Sequence, residues 1–226
     1  MGAFNDNIKN KFMIRNGLFF ALILILIACS GSHKAKKSKG WISLFNGKSL
    51  TGWKASERPG AFKVEDGNIV VAGPRSHLYY EGDVMHHDFK NFEFKAQVMT
   101  MPGSNSGVYF HTEYQEKGFP NKGFEVQVNN SHTDWKRTAG LYDVQDIREV
   151  YVKDSVWFTL YIMVQGKKVT TKINDKIVID YTESENAVAP KGHSDRLISR
   201  GTFALQAHDP KSIVLYKDIL VKSLPE

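Results

Sequence analysis

The chain has 226 residues, 42% of them hydrophobic, which is enough for one domain with a substantial core. Its formal net charge of +6 is an end effect, because seven of the 30 basic residues and one of the 24 acidic ones precede Trp41 and the remainder is neutral. Such a remainder has no basic face to neutralise phosphates, which excludes nucleic acid as a partner, and the single cysteine, Cys29, excludes disulfides within the chain.

Lys9, Lys11 and Arg15 precede the apolar run Leu18 to Ala28, which ends in Leu26-Ile-Ala-Cys29. A positive region, a short apolar region and a small residue before cysteine resemble the signal and lipobox of bacterial lipoproteins. Residues 1–28 are therefore expected to be a signal peptide and Cys29 a lipidation site. The run is too short for a transmembrane helix. Residues 29–40 then form a basic tether with no apolar side chain after Cys29 except alanine, suited to lying near an anionic membrane surface. The expected address is the cell envelope, with the membrane as partner through the lipid. The residues after Cys29 lack an acidic cluster, which favours the periplasmic side over the cell surface.

Residues 41–226 read as one β-domain. Short β-type runs recur at Phe62–Val64, Asn68–Ala72, His77–Tyr80, Phe92–Thr100, Gly107–His111, Phe124–Val128, Gly140–Val144, Trp157–Val164, Lys168–Ile173, Lys176–Tyr181, Thr202–His208 and Ile213–Val221. Asp66-Gly67 and Asn174-Asp175 are hairpin-type turns between such runs. No window after the signal holds a helical period over more than ten residues. This spacing predicts an all-β fold, a two-sheet sandwich or a barrel. Trp53 and Trp157 sit in apolar patterns and are expected in the core.

Ser104 to Asn130 is the stretch with chemical content. Side chains alternate across a strand, so Phe124, Val126 and Val128 share one face while Glu125, Gln127 and Asn129 share the other. Tyr109 and His111 likewise oppose Val108 and Phe110, and Gln206 and His208 oppose Phe203, Leu205 and Ala207. Polar faces with aromatic rings and few lysines suit a carbohydrate, which is bound by planar hydrogen-bonding groups and ring faces. Asn105 shapes the turn into its strand and is a candidate contact. Trp135 lies in a polar loop from which an indole can stack on a sugar, with Arg137 beside it. His86-His87-Asp88 has the residue types of a metal site, but neighbours on a strand point to opposite faces, so no metal site is expected there.

Leu44-Phe-Asn-Gly-Lys-Ser-Leu-Thr-Gly-Trp53, Asn105-Ser-Gly-Val-Tyr-Phe110, Gly123-Phe-Glu-Val-Gln127 and Leu205-Gln-Ala-His208 together resemble the 3-keto-disaccharide hydrolase family, over essentially Trp41 to Leu224. The resemblance implies a jelly-roll sandwich of the concanavalin A-like lectin and glucanase type, and a hydrolase acting on oxidised glycosides. The family more often carries Arg after the Asn-Ser-Gly-x-x-Phe motif, where this chain has His111.

Ordinary glycoside hydrolysis needs two carboxyl groups flanking the bond. Retaining glucanases of similar fold supply them from one strand as Glu-x-Asp-x-Glu, whereas the corresponding face here reads Glu125, Gln127, Asn129. A 3-keto sugar needs less: its carbonyl acidifies the C2 proton, so one base, hydrogen-bond donors for the enolate and departure of the C1 substituent suffice before water adds back. Glu125 and His208 are the expected acid/base pair, with Tyr109, His111, Gln127, Gln206, Asn105, Trp135 and Arg137 as substrate contacts. No cofactor is expected, and a bound divalent cation is left open. A sugar 3-dehydrogenase would act upstream. Two alternatives stand beside this reading: a non-catalytic glycan-binding module, and a conventional glycosidase taking a second carboxylate from Asp143, Asp146 or Glu113.

Overall fold

In the computed structural model, residues 40–193 and 195–226 are described; the expected signal, Cys29 and all of the tether but Gly40 lie outside them. The described strands are, in chain order, β1 (Ile42–Ser43), β2 (Trp53–Ala55), β3 (Phe62–Glu65), β4 (Asn68–Ala72), β5 (Ser76–Tyr80), β6 (Phe92–Thr100), β7 (Ser106–Thr112), β8 (Phe124–Val128), β9 (Phe158–Gln165), β10 (Lys168–Ile173), β11 (Lys176–Thr182), β12 (Thr202–Ala207) and β13 (Ile213–Ser223). Two antiparallel sheets result. One is eight-stranded in the order β11-β10-β9-β6-β13-β4-β3 with β1 also on β13, and the other is five-stranded in the order β2-β5-β12-β7-β8. This is the two-sheet sandwich, one of the two architectures that the strand spacing predicts, and the all-β jelly roll that the family resemblance implies.

Alternation explains which faces meet. On β6, Phe92, Phe94, Ala96 and Val98 are buried while Glu93, Lys95 and Gln97 are partly exposed, and β9 repeats the pattern with Phe158, Leu160, Ile162 and Val164. The five-stranded sheet answers with Val108, Phe110, Phe124, Val126, Val128, Phe203 and Leu205 in the same core. Phe203 sits at its centre, with ring centroids 4.7, 4.9 and 4.8 Å from those of Phe89, Phe92 and Phe94. Each such pair contributes about 0.5–1.5 kcal/mol beyond the burial of its area. In β13 the register against β6 shifts between Lys217 and Leu220, with Asp218 at φ 48°. The extra residue returns Ile219 and Val221 to the core face already used by Val214 and Tyr216.

The hairpins follow their turn residues: Asp66 and Gly67, at φ 47° and 77°, join β3 to β4, and Asn174, at φ 54°, leads from β10 into β11. The run Gly140–Val144 is not a strand. Leu141 makes isolated bridges to Val126 and Gln145, while Ala139 and Asp143 have φ of 72° and 60°, so the segment follows the edge of β8 as an irregular chain. Trp157 is partly exposed, with the Lys217 ammonium 4.1 Å from its ring centroid, whereas Trp53 is buried and donates its indole N–H to the Leu44 carbonyl at 2.8 Å.

The outer face of the five-stranded sheet is also buried. Tyr79, Tyr109 and Ala204 form a second small apolar cluster there, with Tyr114 packed against it. Every residue of β5, β7, β8 and β12 is consequently buried, although only one face of that sheet meets the main core. Loops roof this second face and leave an opening, which is the candidate site.

Candidate active site

Three adjacent strands build the floor. In the registers Tyr109↔Glu125 and Gly107↔Gln127, β7 sets Tyr109 beside Glu125, and in the register Ala204↔Tyr109, β12 brings Gln206 along the same face. The Tyr109 hydroxyl donates to Glu125 Oε2 at 2.7 Å. Gln206 Nε2 donates to Glu125 Oε1 at 2.9 Å and to the Tyr109 hydroxyl at 3.1 Å. A side chain at position 107 would displace the carboxylate, because a Cβ there would stand 2.4 Å from Glu125 Oε1. The glycine of Asn105-Ser-Gly thus gives the carboxylate its room.

These residues line a cavity of about 130 Å³, with Asn105, Gln127 and His208 of the expected set. Phe119, Asp134, Tyr142, His193 and Arg196 complete its wall and roof. Glu125 is 5% exposed and its pKa is raised. Burial is the largest cause, opposed by the Tyr109 hydrogen bond, the Arg196 charge and the Gln206 amide. The same burial, with the Glu125 charge, lifts the Tyr109 phenol well above its ordinary range. Glu125 therefore accepts a proton more readily than an exposed carboxylate does.

His208 follows β12 and turns its ring to the opening. Its Nδ1 lies 3.0 Å from Asp209 Oδ2. Burial would raise the Asp209 pKa, but bonds from Ser212 and His208 outweigh it and bring it down to about 2, so Nδ1 is the donor. Nε2 is then left to exchange a proton. The Ser212 hydroxyl donates to Asp209 Oδ2 at 2.5 Å and accepts from the Asn105 backbone N–H at 2.8 Å, which ties the His208 turn to the entry of β7.

His111, Trp135 and Arg137 do not reach the cavity. At His111 φ is 55°, and the β7 to β12 register slips between Thr202 and Ala204. The ring turns to the other side, 5.7 Å from Phe92 by centroid, where Nε2 donates to the Lys90 carbonyl at 2.8 Å and Nδ1 accepts from Ser199 N–H at 3.2 Å. Burial there holds its pKa down at about 4. Trp135 is 40% exposed with the Arg148 guanidinium 3.9 Å from its ring centroid. Arg137 Nη1 donates to Asn129 Oδ1 and the carbonyls of His132 and Asp134, fastening the loop after β8.

The three suggested second carboxylates are engaged elsewhere. Asp143 pairs with Lys136 and His193, Asp146 with Lys136, and Glu113 with Lys122, and none lines the cavity. Asp134 does line it, with one oxygen accepting the Lys136 backbone N–H at 3.1 Å.

His132, His208 and Asp209 place ligand-capable atoms within 4.8 Å of one another, the one such group of three among the described residues. Asp134 N–H donates to His132 Nδ1 at 3.1 Å, which leaves the proton of a neutral ring on Nε2, the nitrogen facing Asp209 at 3.8 Å. A metal would need that nitrogen bare. Within the trio His208 and Asp209 are hydrogen-bonded to each other at 3.0 Å, while His132 stands too far from Asp209 for a hydrogen bond. His86 and His87 do not join such a group, and Asp88 pairs with Arg200 at 2.8 Å.

Residues 40–222 match the model of the 3-keto-alpha-glucoside-1,2-lyase-like domain. The chain belongs to that family. A 3-keto-disaccharide hydrolase of Bacteroides thetaiotaomicron is 28% identical over 171 residues, covering 63% of this chain and 58% of that protein, so this chain matches little more than half of the relative's length. A solved structure from Parabacteroides distasonis, a presumptive glycosyl hydrolase, superposes with a TM-score of 0.69 at 23% identity over 82% of this chain and 94% of that one. A carbohydrate binding module of Bacillus subtilis gives 0.53 at 12% identity, over 76% and 96%. At these identities both show the fold alone.

Proposed function

We propose that this protein cleaves 3-keto-disaccharides and related 3-keto-glycosides by proton abstraction at C2, elimination of the C1 substituent and addition of water. The supporting observation is one desolvated carboxylate, Glu125, fixed by Tyr109 and Gln206 in a cavity of sugar-ring dimensions that His208 also lines. Glu125 is assigned the C2 proton, because a raised pKa strengthens a carboxylate as a base at neutral pH. His208 Nε2 is assigned the proton delivered to the departing oxygen and later the activation of water. Asn105 Oδ1, Gln127 Oε1 and Gln206 Oε1 are buried without protein partners and offer acceptors for sugar hydroxyls.

A second reading rests on Asp134, whose place in the cavity wall offers a conventional glycosidase pair with Glu125. Incubation with plain and 3-keto forms of one disaccharide separates the two. Cleavage of the keto form alone supports the proposal, cleavage of the plain sugar supports the carboxylate pair, and binding without cleavage supports a glycan-binding module. We also propose an envelope lipoprotein anchored at Cys29, working beside a dehydrogenase that oxidises C3. Retention of a Cys29→Ser variant in the membrane fraction would contradict the anchor.

A further inference from the structure

Arg196 is 2% exposed yet carries a full positive charge, and it lies in a loop rather than in either sheet. Among the described residues, its guanidinium has one hydrogen-bond acceptor, the Tyr142 carbonyl, which Nη1 meets at 2.7 Å; Nε is buried with none. The Tyr142 ring lies beside it, 5.6 Å from the guanidinium carbon. Both Arg196 and Glu125 line the cavity, and the guanidinium charge acts on the Glu125 carboxyl, but the two form no ion pair. A buried cation with an unmet donor is costly unless something else completes it. Two opposite charges thus line one sugar-sized cavity without pairing with each other.

We infer that Arg196 is a catalytic residue that stabilises the negative charge developing on O3 of a 3-keto sugar, and so selects for the oxidised sugar. The inference rests on the function proposed above. Glu125 takes the C2 proton, the C2–H electron pair becomes the C2=C3 bond, and the carbonyl pair moves onto O3. Arg196 donates to that oxyanion from donors the protein leaves unused. The O3 pair then reforms the carbonyl, the C2=C3 pair becomes C1=C2, and the C1–O bond breaks as the leaving oxygen takes the Nε2 proton of a His208 imidazolium, whose Nδ1–H stays on Asp209. Water then adds across C1=C2, its oxygen to C1 and its proton to His208 Nε2, while Glu125 returns its proton to C2, so the sum is hydrolysis and both groups regain their starting states. The plain sugar has only a hydroxyl at C3 and develops no charge for Arg196 to meet.

The test isolates the first step by using a 1,5-anhydro-3-keto-hexitol, which has no leaving group at C1. Its exchange of the C2 hydrogen in D2O is followed by NMR, with the C4 hydrogen as internal reference. Wild type should exchange C2 selectively. Arg196→Ala should slow this roughly 10²- to 10³-fold, the scale of losing one oxyanion donor. Added guanidinium ion should restore part of the rate, which a merely structural role would not produce. Arg196→Lys should fall between, since it keeps a charge but loses the planar fork; if the alanine variant does not fold, this variant decides. Wild-type exchange rates in either folded variant would overturn the role of Arg196 while leaving the proposed function standing. No C2 exchange by wild type would overturn both.

Discussion

The position of Glu125 can be moved without touching any group that meets substrate. In Gly107→Ala the new Cβ would lie 2.4 Å from Glu125 Oε1, 2.9 Å from Cγ and 3.0 Å from Cδ. Ordinary contact with carbon needs about 3.5 Å, so the carboxylate must retreat by about 1 Å. That retreat strains the bond from Gln206 Nε2, now 2.9 Å. An error of about 1 Å in a reacting group costs on the order of 10²-fold in rate, and overpacking a buried site costs about 1–3 kcal/mol of stability. Gly107→Ala should therefore reduce kcat on a 3-keto-disaccharide roughly 10²-fold, with KM changed much less and Tm lowered by roughly 2–12 °C. Gly60→Ala is the control, because a Cβ at Gly60 meets nothing within 4 Å. Steady-state kinetics and a thermal melt on each variant suffice. Wild-type kcat in a folded Gly107→Ala protein would refute the assignment of the chemistry to the Glu125 carboxylate.

Asp209→Asn should lower kcat roughly 10²-fold with little change in melting temperature, because an amide that donates to Nδ1 forces the His208 hydrogen onto Nε2; an unchanged kcat would mean that Nε2 carries no proton in the reaction. Acid should destabilise the protein through His77 and His111, whose folded pKa values are depressed by burial from 6.5 to about 3 and about 4. Between pH 6.5 and those values the unfolded chain binds more protons, so the stability present above pH 6.5 is lost as the pH falls, at up to about 1.4 kcal/mol per pH unit for each histidine. His77→Phe should remove about half of that slope in urea titrations at pH 6, 5 and 4, and an unaltered slope would show that His77 is not held neutral.

Much of the fold was legible because its strands bury one face at a time. The alternation in Phe92–Thr100 and the paired turns at Asp66-Gly67 and Asn174-Asp175 are local signals, and the structure follows them. β1 and β2, of two and three residues, are too short to show a period, and they form because β13 and β5 offer them edges. Within the site, Glu125, Gln127, Tyr109 and Gln206 came from parity alone. His111 did not, because parity assumes a regular strand and the left-handed backbone at that residue reverses its direction. A sign was present in Gly123 and Gly201: a Cβ at either would stand 2.2 Å from a carbonyl of the β7 end, at Phe110 and Thr112, so the chain there is crowded and irregular. Trp135 and Arg137 sit in a loop whose composition suits a sugar, yet their partners are Arg148 and the loop's own carbonyls. Arg196, Tyr142 and Phe119 left no pattern to read, since loops bring them to the cavity from three separate parts of the chain.

The most direct measurement is turnover by Glu125→Gln of matched plain and 3-keto disaccharides, beside the wild type. The amide keeps the shape and a hydrogen bond to Tyr109 but cannot accept the C2 proton. Wild type should release monosaccharide from the 3-keto sugar only, and the variant should bind that sugar yet turn it over roughly 10²- to 10⁴-fold more slowly. Equal turnover by the two proteins, or release from the plain sugar by wild type, would contradict a single buried carboxylate acting on an acidified carbon.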